Sequence, residues 1–223
     1  MLVTSRSFAE YAAMFDLPDP LPASVLDCCA GGSGFTAEAA SRGVDAVAAD
    51  PSYELSDADL ADVVRRSTSS GAGIVDQRPD AFTWAWYGSR EKRDRLRSGA
   101  AEAFLADRAA HPERYVAAAL PDLPFGAGRF ELALCSHLLF TWSDQLGEAW
   151  HLAALRELCR VAAEVRVFPL VVQGNGAPVH FLADVRRSLA AEGVVSRVGK
   201  VPYEFQRGAD EMLVLRGVTP PRS

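Results

Sequence analysis

The sequence predicts an α/β fold: a doubly wound, mostly parallel sheet of seven strands, with a helical insertion and an antiparallel last strand. Three observations predict it. An apolar run ends in Asp27 and is followed by a small-residue turn, 28–34, and a helical segment. A second apolar run ends in Asp50. Apolar runs then alternate with amphipathic segments, as in sheets that helices cover on both faces.

Length and composition limit the classes of protein to consider. The 223 residues fit one domain, 1–223, with an insertion at 51–112. The net charge of −6 argues against a general nucleic-acid binder. None of the four cysteines forms a C-x-x-C pair, so no metal site is predicted. No signal pattern and no apolar run of about 18 residues occurs, which predicts a cytoplasmic protein without a membrane span.

The first elements follow from local pattern. Residues 5–16 predict a short amphipathic helix that opens at a serine cap, and the prolines between 18 and 22 exclude further helix. The next predicted elements are strand 24–28, helix 35–42 and strand 46–49.

The segment 51–112 is much longer than the single helix that a minimal doubly wound domain needs here. Long insertions are usually functional or disordered, and the aromatic content argues against disorder. The segment therefore predicts a helical lid or cap. Its parts are a helix at 57–66, a small-residue turn at 67–73, an aromatic segment at 82–88 and a charged helix at 89–110.

The second half resumes the alternation of strands and helices. The last two predicted strands are joined by a turn that contains Gly208, which favours antiparallel pairing. The predicted strands are 115–119, 130–136, 164–172, 195–203 and 211–216, and the predicted helices are 147–162 and 177–192.

The turn after the first strand predicts a nucleoside site. Glycines 31, 32 and 34 lack a Cβ and let the backbone approach a ligand closely, and the N–H groups that open the next helix are expected to meet an anionic group. Asp50 is placed to accept hydrogen bonds from ribose hydroxyls. The dinucleotide fingerprint G-x-G-x-x-G fits this turn poorly, so NAD is less favoured.

Several motifs occur in the order expected for one family. The run Asp27–Phe35 is similar to the form D-x-C-A-x-P-G-G-F. Four further motifs follow along the chain: Asp50–Ser52, Leu120–Leu132, Cys135–Phe140 and Leu155–Val161. Together they resemble the class I S-adenosylmethionine-dependent methyltransferases, and the resemblance covers 24–50 and 113–216.

The resemblance implies a Rossmann-like methyltransferase fold and S-adenosylmethionine as cofactor. The matching positions imply these cofactor-binding residues: Asp27, Cys29, Ala30, Gly31, Gly32, Gly34, Phe35, Asp50, Pro51, Leu120 and Ser136. His137 follows the fourth strand, beside the expected methyl position, and is the candidate catalytic base. Contact with the cofactor or substrate and a structural role are the alternatives. The chain departs from the family at Ala119, where an acid often accepts the adenine amino group.

Candidate substrate residues come from the insertion and from the second half of the chain: Trp84, Trp86, Tyr87, Arg90, Phe140 and Arg166. For the aromatic segment, the alternative is that it forms the core of the insertion. Arg166 lies within an apolar strand, where a charge needs a partner or a ligand. An ion pair with Glu164 or Asp144 is the alternative to an anionic substrate.

These observations support more than one function. The first hypothesis is methyl transfer to a small apolar or aromatic acceptor, as in natural product biosynthesis. The second is an enzyme of this fold that does not methylate and instead cyclises an anionic substrate, with Arg166 stabilising the leaving group. The third is a non-catalytic partner subunit. Homodimers and heterodimers are both left open.

Overall fold

A computed structural model describes residues 3–217, with the backbone alone at 68–74, 76 and 77. In this part of the chain seven strands form one sheet in the order β3-β2-β1-β4-β5-β7-β6. Strand β7 runs antiparallel to both of its neighbours, β5 and β6, and the other pairs of neighbouring strands are parallel. The predicted doubly wound sheet with an antiparallel last strand is confirmed. The strands are β1 Ser24–Cys28, β2 Asp45–Ala49, β3 Tyr115–Val116, β4 Phe130–Ser136, β5 Ala162–Phe168, β6 Val195–Lys200 and β7 Glu211–Arg216.

Helices precede, follow and connect these strands. They are α1 Phe8–Phe15, α2 Phe35–Ser41, α3 Asp57–Gln77, α4 Arg90–Ala110, α5 Glu148–Val161 and α6 Leu182–Ala191. The turn predicted at 67–73 is wrong, since α3 continues through it. Leu60, Val64 and Val75 recur at helical spacing and are buried, so burial outweighs the low helix propensity of the glycines between them.

Several elements are shorter than predicted. Strand β3 occupies two of the five residues expected at 115–119. Strand β5 ends before Pro169, which has no N–H to continue the ladder. The helix expected at 177–192 begins late, at Leu182, because Pro178 is held in an isolated bridge to Val171.

Different helices cover the two faces of the sheet. Helices α5 and α6 pack on one face through Leu155, Leu158 and Leu189. Helices α1 and α2 cover the other face through Phe15 and Phe35. Helices α3 and α4 pack together over the edge formed by β2 and β3. The carboxyl ends of the parallel strands therefore meet at one edge of the sheet, beside the insertion.

Helix α1 begins with a capping box. The Ser7 hydroxyl accepts a hydrogen bond from the Glu10 N–H, and the Glu10 carboxylate accepts one from the Ser7 N–H at 2.8 Å. Glu10 is fully buried. Its Oε1 accepts a hydrogen bond from the Tyr87 hydroxyl at 2.5 Å and lies 3.3 Å from Arg97 Nε. Tyr87 also bonds to the Tyr203 hydroxyl at 2.8 Å, so this Glu10 network joins α1, the insertion and the β6–β7 connection.

The Glu10 network holds an ionised carboxylate in the interior. Burial alone would raise the pKa of Glu10. The guanidiniums of Arg97 and Arg6, with the hydrogen bonds from Ser7 and Tyr87, outweigh burial and hold that pKa below its ordinary value. Glu10 and Arg97 therefore form a buried ion pair near neutral pH.

Glu10→Gln is expected to lower the free energy of unfolding by about 3 kcal/mol, because Arg97 loses its buried counterion. Urea denaturation near neutral pH measures the loss. Glu38→Gln is the matched control: its ion pair with Arg42 is about half exposed, and such pairs contribute less than about 1 kcal/mol. Equal losses in the two variants would contradict a structural role for the Glu10 network.

Candidate active site

A cavity of about 470 Å³ opens at the carboxyl edge of the sheet. Ligands of open α/β sheets bind at this edge, and small-molecule pockets measure roughly 300–1,000 Å³. Residues at or just after the carboxyl ends of β1, β2, β4 and β5 form its floor: Cys29, Gly31, Asp50, Pro51, Ser136, His137, Phe168 and Pro169. The N-terminal segment, α4 and the β6–β7 connection supply walls: Thr4, Ser5, Arg6, Arg93, Arg97, Tyr203, Phe205 and Gln206.

Gly31 and Asp50 both line the cavity floor and are joined by a hydrogen bond. Gly31 has φ +57°, a region that favours glycine, and its N–H donates to Asp50 Oδ2 at 2.9 Å. Asp50 Oδ1 accepts hydrogen bonds from the N–H and the hydroxyl of Ser52, at 2.9 and 2.5 Å. A carboxylate has roughly four acceptor positions, so about one remains on Asp50 for a ligand.

The other glycines of this turn approach protein backbone. The Gly32 N–H donates to the Thr4 carbonyl at 3.2 Å, and the Gly34 N–H donates to the Arg6 carbonyl at 2.9 Å. A Cβ on Gly34 would lie 3.0 Å from the Cα of Ala100 in α4. These glycines therefore allow the N-terminal segment and α4 to pack closely. No residue of α2 lines the cavity, so the expected anion contact at its first turn is not found.

His137 borders the cavity immediately after β4. Its φ of +57° is uncommon for a residue with a side chain. Its N–H donates to the Phe168 carbonyl at 2.7 Å, and its Nδ1 lies 2.8 Å from Ser136 Oγ. Burial lowers the pKa of His137 well below its ordinary value, and the charges of Arg6 and Arg97 lower it further. The imidazole is therefore neutral near pH 7.

Sequence reasoning missed the arginines of the cavity wall. Arg6 and Arg93 are buried, and the Arg97 side chain is 12% exposed. Arg93 and Arg97 are one helical turn apart and share a face of α4 with Ala100 and Phe104, which are buried. That shared apolar face was the signal that could have distinguished them from the exposed basic residues of the helix.

Phe82 of the aromatic segment lines the cavity, but the three candidate substrate residues of the segment lie behind the cavity wall. Trp84, Trp86 and Tyr87 do not line the cavity. Trp86 packs on Tyr87 and Tyr203 with ring centroids 4.8 and 5.0 Å apart, and Trp84 packs on Phe205 at 5.3 Å. The predicted substrate role does not match this placement. The rings pack against one another here, and they support Tyr203 and Phe205, which line the cavity.

Two other predicted substrate residues also lie elsewhere. Phe140 is buried, stacks on His151 at 5.2 Å, and donates its N–H to His151 Nε2 at 2.9 Å. Arg90 lines a separate shallow depression beside Trp84. Neither residue lines the cavity.

Arg166 faces α1 and does not line the cavity. Its Nε donates to Glu164 Oε1 at 2.6 Å, as the ion-pair alternative expected. Its Nη1 donates to the carbonyls of Phe15 and Asp16 at 2.6 and 2.8 Å. These carbonyls at the end of α1 lack helical partners, so the guanidinium completes the helix end and is not available to a substrate.

The predicted cofactor residues fall into two groups. Those at the cavity, with His137, are Cys29, Gly31, Asp50, Pro51, Leu120 and Ser136. Those behind it are Asp27, Ala30, Gly32, Gly34 and Phe35.

Within residues 3–217, no group of described side chains could hold a metal ion. No helix described is long and apolar enough to cross a membrane.

Asp27 is a buried acid directly behind the cavity floor. The Tyr11 hydroxyl donates to its Oδ1 at 2.9 Å. Burial raises the pKa of Asp27 to about 7, and Asp50 adds to the rise, whereas Tyr11, Ser33 and Arg6 oppose it. The Asp27 carboxyl is therefore protonated over much of the acidic range in the folded protein.

The raised pKa of Asp27 predicts that the folded protein becomes less stable as the pH rises toward 7. The unfolded pKa is near 3.8 and the folded pKa about 7, so between these values the folded protein binds the extra proton. The free energy of unfolding should then fall by about 3 kcal/mol from pH 4 to pH 7 on account of this group. Urea denaturation of wild type and Asp27→Asn at several pH values isolates the effect, since asparagine does not titrate. Parallel stability curves would contradict the raised pKa.

Gly34→Ala should lower the free energy of unfolding by roughly 1–3 kcal/mol, because the new methyl meets the backbone of Ala100. Gly99→Ala in α4 is the control: its methyl meets nothing within 4 Å, and alanine favours helix by up to about 1 kcal/mol. Thermal unfolding measures both. A stable Gly34→Ala variant would contradict the close packing of α4 on the turn.

Known proteins share this architecture. No family model matches the chain. The uncharacterized protein MJ0045 of Methanocaldococcus jannaschii is 25% identical over 217 residues, which are 96% of each protein. The O-methyltransferase NcsB1 from neocarzinostatin biosynthesis, solved with S-adenosylmethionine and 2-hydroxy-5-methyl naphthoic acid, is 14% identical with a TM-score of 0.50. The match covers 94% of this chain and 53% of NcsB1, so the chain spans about half the length of that protein.

A second solved structure is magnesium protoporphyrin IX methyltransferase from Synechocystis PCC 6803, with bound S-adenosylmethionine. It is 13% identical to this chain, and the match, with a TM-score of 0.46, covers 88% of this chain and 70% of that protein. The strand order of the sheet and the likeness to NcsB1 agree. The chain has the Rossmann-like fold of the class I S-adenosylmethionine-dependent methyltransferases.

Proposed function

We propose that this protein transfers a methyl group from S-adenosylmethionine to a small-molecule acceptor. One observation carries the proposal: Asp50, after β2, and His137, after β4, line the same cavity. In this proposal, Asp50 marks the nucleoside end of the cavity and His137 marks the reacting end. The fold shared with NcsB1, which was solved with S-adenosylmethionine, supports the proposal.

The residues of the cavity floor fit a nucleoside. About one acceptor position of Asp50 remains for a ribose hydroxyl, as described above. Ala119 and Leu120 line the cavity after β3 and offer an apolar wall for adenine. Gly31 allows close approach of a ligand to the backbone. The cofactor, when bound, supplies a methyl group that its positive sulfonium already activates.

Ser136 and His137 suit the removal of a proton from the acceptor. When Nδ1 of His137 carries the proton and donates it to Ser136 Oγ, Nε2 is an acceptor. Because the imidazole is neutral near pH 7, Nε2 can take a proton from an acceptor hydroxyl. The lowered pKa of His137 makes it a weak base, so we expect an acidic hydroxyl, such as a phenol.

The insertion 51–112 acts, in this proposal, as the lid over the acceptor. Its helix α4 contributes Arg93 and Arg97 to the cavity wall. An aromatic acceptor from natural product biosynthesis fits the aromatic side chains there, and NcsB1 belongs to such a pathway. The cyclisation alternative relied on Arg166, whose place outside the cavity removes that support.

Calorimetry with S-adenosylhomocysteine tests the proposal. Wild type should bind it, and Asp50→Asn should weaken binding by about 1–3 kcal/mol because a hydrogen bond to a charged acceptor is lost. Asp45→Asn is the control, since this carboxylate of β2 is exposed. Absence of wild-type binding at millimolar ligand would overturn the proposal. Equal affinity in a folded Asp50→Asn would refute the ribose assignment.

A further inference from the structure

Buried guanidinium groups form the part of the cavity wall next to His137. Arg6 comes from the N-terminal segment, and Arg93 and Arg97 come from α4. Arg6 is 7% exposed and Arg93 is 3% exposed. The charges of Arg6 and Arg97 both contribute to the lowered pKa of His137, which places these two side chains within electrostatic range of the imidazole. This part of the wall is therefore cationic.

Arg6 and Arg97 differ in their counterions. Arg97 Nε lies 3.3 Å from the buried Glu10 carboxylate. Arg6 Nη1 donates to the Thr4 hydroxyl at 2.7 Å, and Arg6 Nε has no hydrogen-bond partner among the described side chains. Asp27 and Glu10 are within electrostatic range of Arg6, but neither forms an ion pair with it in the described structure. A guanidinium stays protonated in proteins, so Arg6 is a buried cation without a contacting anion among the residues that the structure describes.

We propose that Arg6, with Arg97 beside it, binds a carboxylate group of the acceptor. Burial of an unpaired charge is unfavourable unless an anion offsets it, and one such charge matches a monoanion. The planar guanidinium matches a carboxylate through two parallel hydrogen bonds. This inference rests on the proposed function, because the acceptor would occupy the same cavity.

The rest of the wall defines the body of the acceptor. Phe168, Tyr203 and Phe205 line the cavity with the arginines, and Trp142 and Trp150 line it as well. Aromatic side chains of this kind stack on flat apolar groups. The acceptor class is therefore an aromatic carboxylic acid, with the reacting atom toward His137 and the carboxylate toward Arg6.

A pair of fluorinated probes tests the carboxylate site. Fluorine NMR would compare binding of para-trifluoromethyl benzoate and of the uncharged para-trifluoromethyl benzamide, with and without S-adenosylhomocysteine. Wild type should prefer the benzoate by at least about tenfold, because hydrogen bonds to charged groups are strong. Equal affinities for the two probes would overturn the proposal. Measurement without nucleoside keeps this result separate from the test of cofactor binding.

Variants of Arg6 test whether its guanidinium causes the preference for benzoate. Arg6→Gln should abolish the preference for benzoate in a protein that still folds, because Glu10 keeps its contacting cation, Arg97, and Arg6 has no contacting anion among the described residues. Arg6→Lys should keep the preference but weaken it several-fold, since the forked geometry is lost. Arg95→Gln, at an exposed position of α4, should change neither. Unfolding of Arg6→Gln, or a wild-type preference in both Arg6 variants, would overturn the proposal.

The carboxylate of the cofactor is the competing anion. Calorimetry would compare S-adenosylhomocysteine with methylthioadenosine, which lacks the amino-acid carboxylate. Arg6→Gln should leave the affinity ratio of these nucleosides at the wild-type value. If the variant lowers that ratio and retains the benzoate preference, Arg6 binds the cofactor and the acceptor assignment is wrong.

Discussion

An ionised carboxylate in the interior needs hydrogen-bond donors and cations around it. The partners of Glu10 come from three distant parts of the chain. Ser7, at the start of α1, and Tyr87, in the insertion, donate hydrogen bonds to Glu10. Arg97, also in the insertion, is its counterion, and Tyr203 is hydrogen-bonded to Tyr87. Displacement of any one of these segments would leave an ionised group in apolar surroundings. The walls of the cavity are therefore fixed relative to each other by electrostatics as well as by apolar packing.

Helix α4 transmits this constraint to the floor of the cavity. Arg97 contacts Glu10, Ala100 lies against the turn at Gly34, and Phe104 packs over the edge of the sheet. These residues are three or four apart and share one face of the helix. A shift of α4 would therefore disturb the arginine side of the cavity wall and the glycine turn together. The glycines that read as a ligand-binding signature thus also serve close packing of the protein on itself.

Sequence could predict the parts of the molecule that depend on local pattern. Strands β1 and β4 have the predicted bounds, and Asp50, Ser136 and His137 reach one cavity because parallel strands end at one edge. The arginine wall was not predicted, because Arg93 and Arg97 belong to a helix rich in basic residues. Their helical spacing from Ala100 and Phe104 was the one sequence signal that set them apart, and tertiary packing then buries that face.

For Arg166, the rule that a buried charge needs a partner was correct, but it did not identify the partner. A cation in an apolar strand needs a partner, and Arg166 has one in Glu164. Sequence could not show that the end of α1 would occupy its remaining donors, since that contact joins residues about 150 positions apart. In the same way, the glycines in α3 predict a turn, and buried residues on either side keep the helix intact.

Two segments far apart in the sequence, Thr4–Arg6 and Tyr203–Ala209, contribute to the cavity wall. Protein synthesis reaches the first segment long before the second. A nascent chain can complete β1, the glycine turn and Asp50 long before Tyr203 leaves the ribosome, and Glu10 then lacks one side of its surroundings. The cavity wall is therefore complete only after the residues through Ala209 have been synthesised.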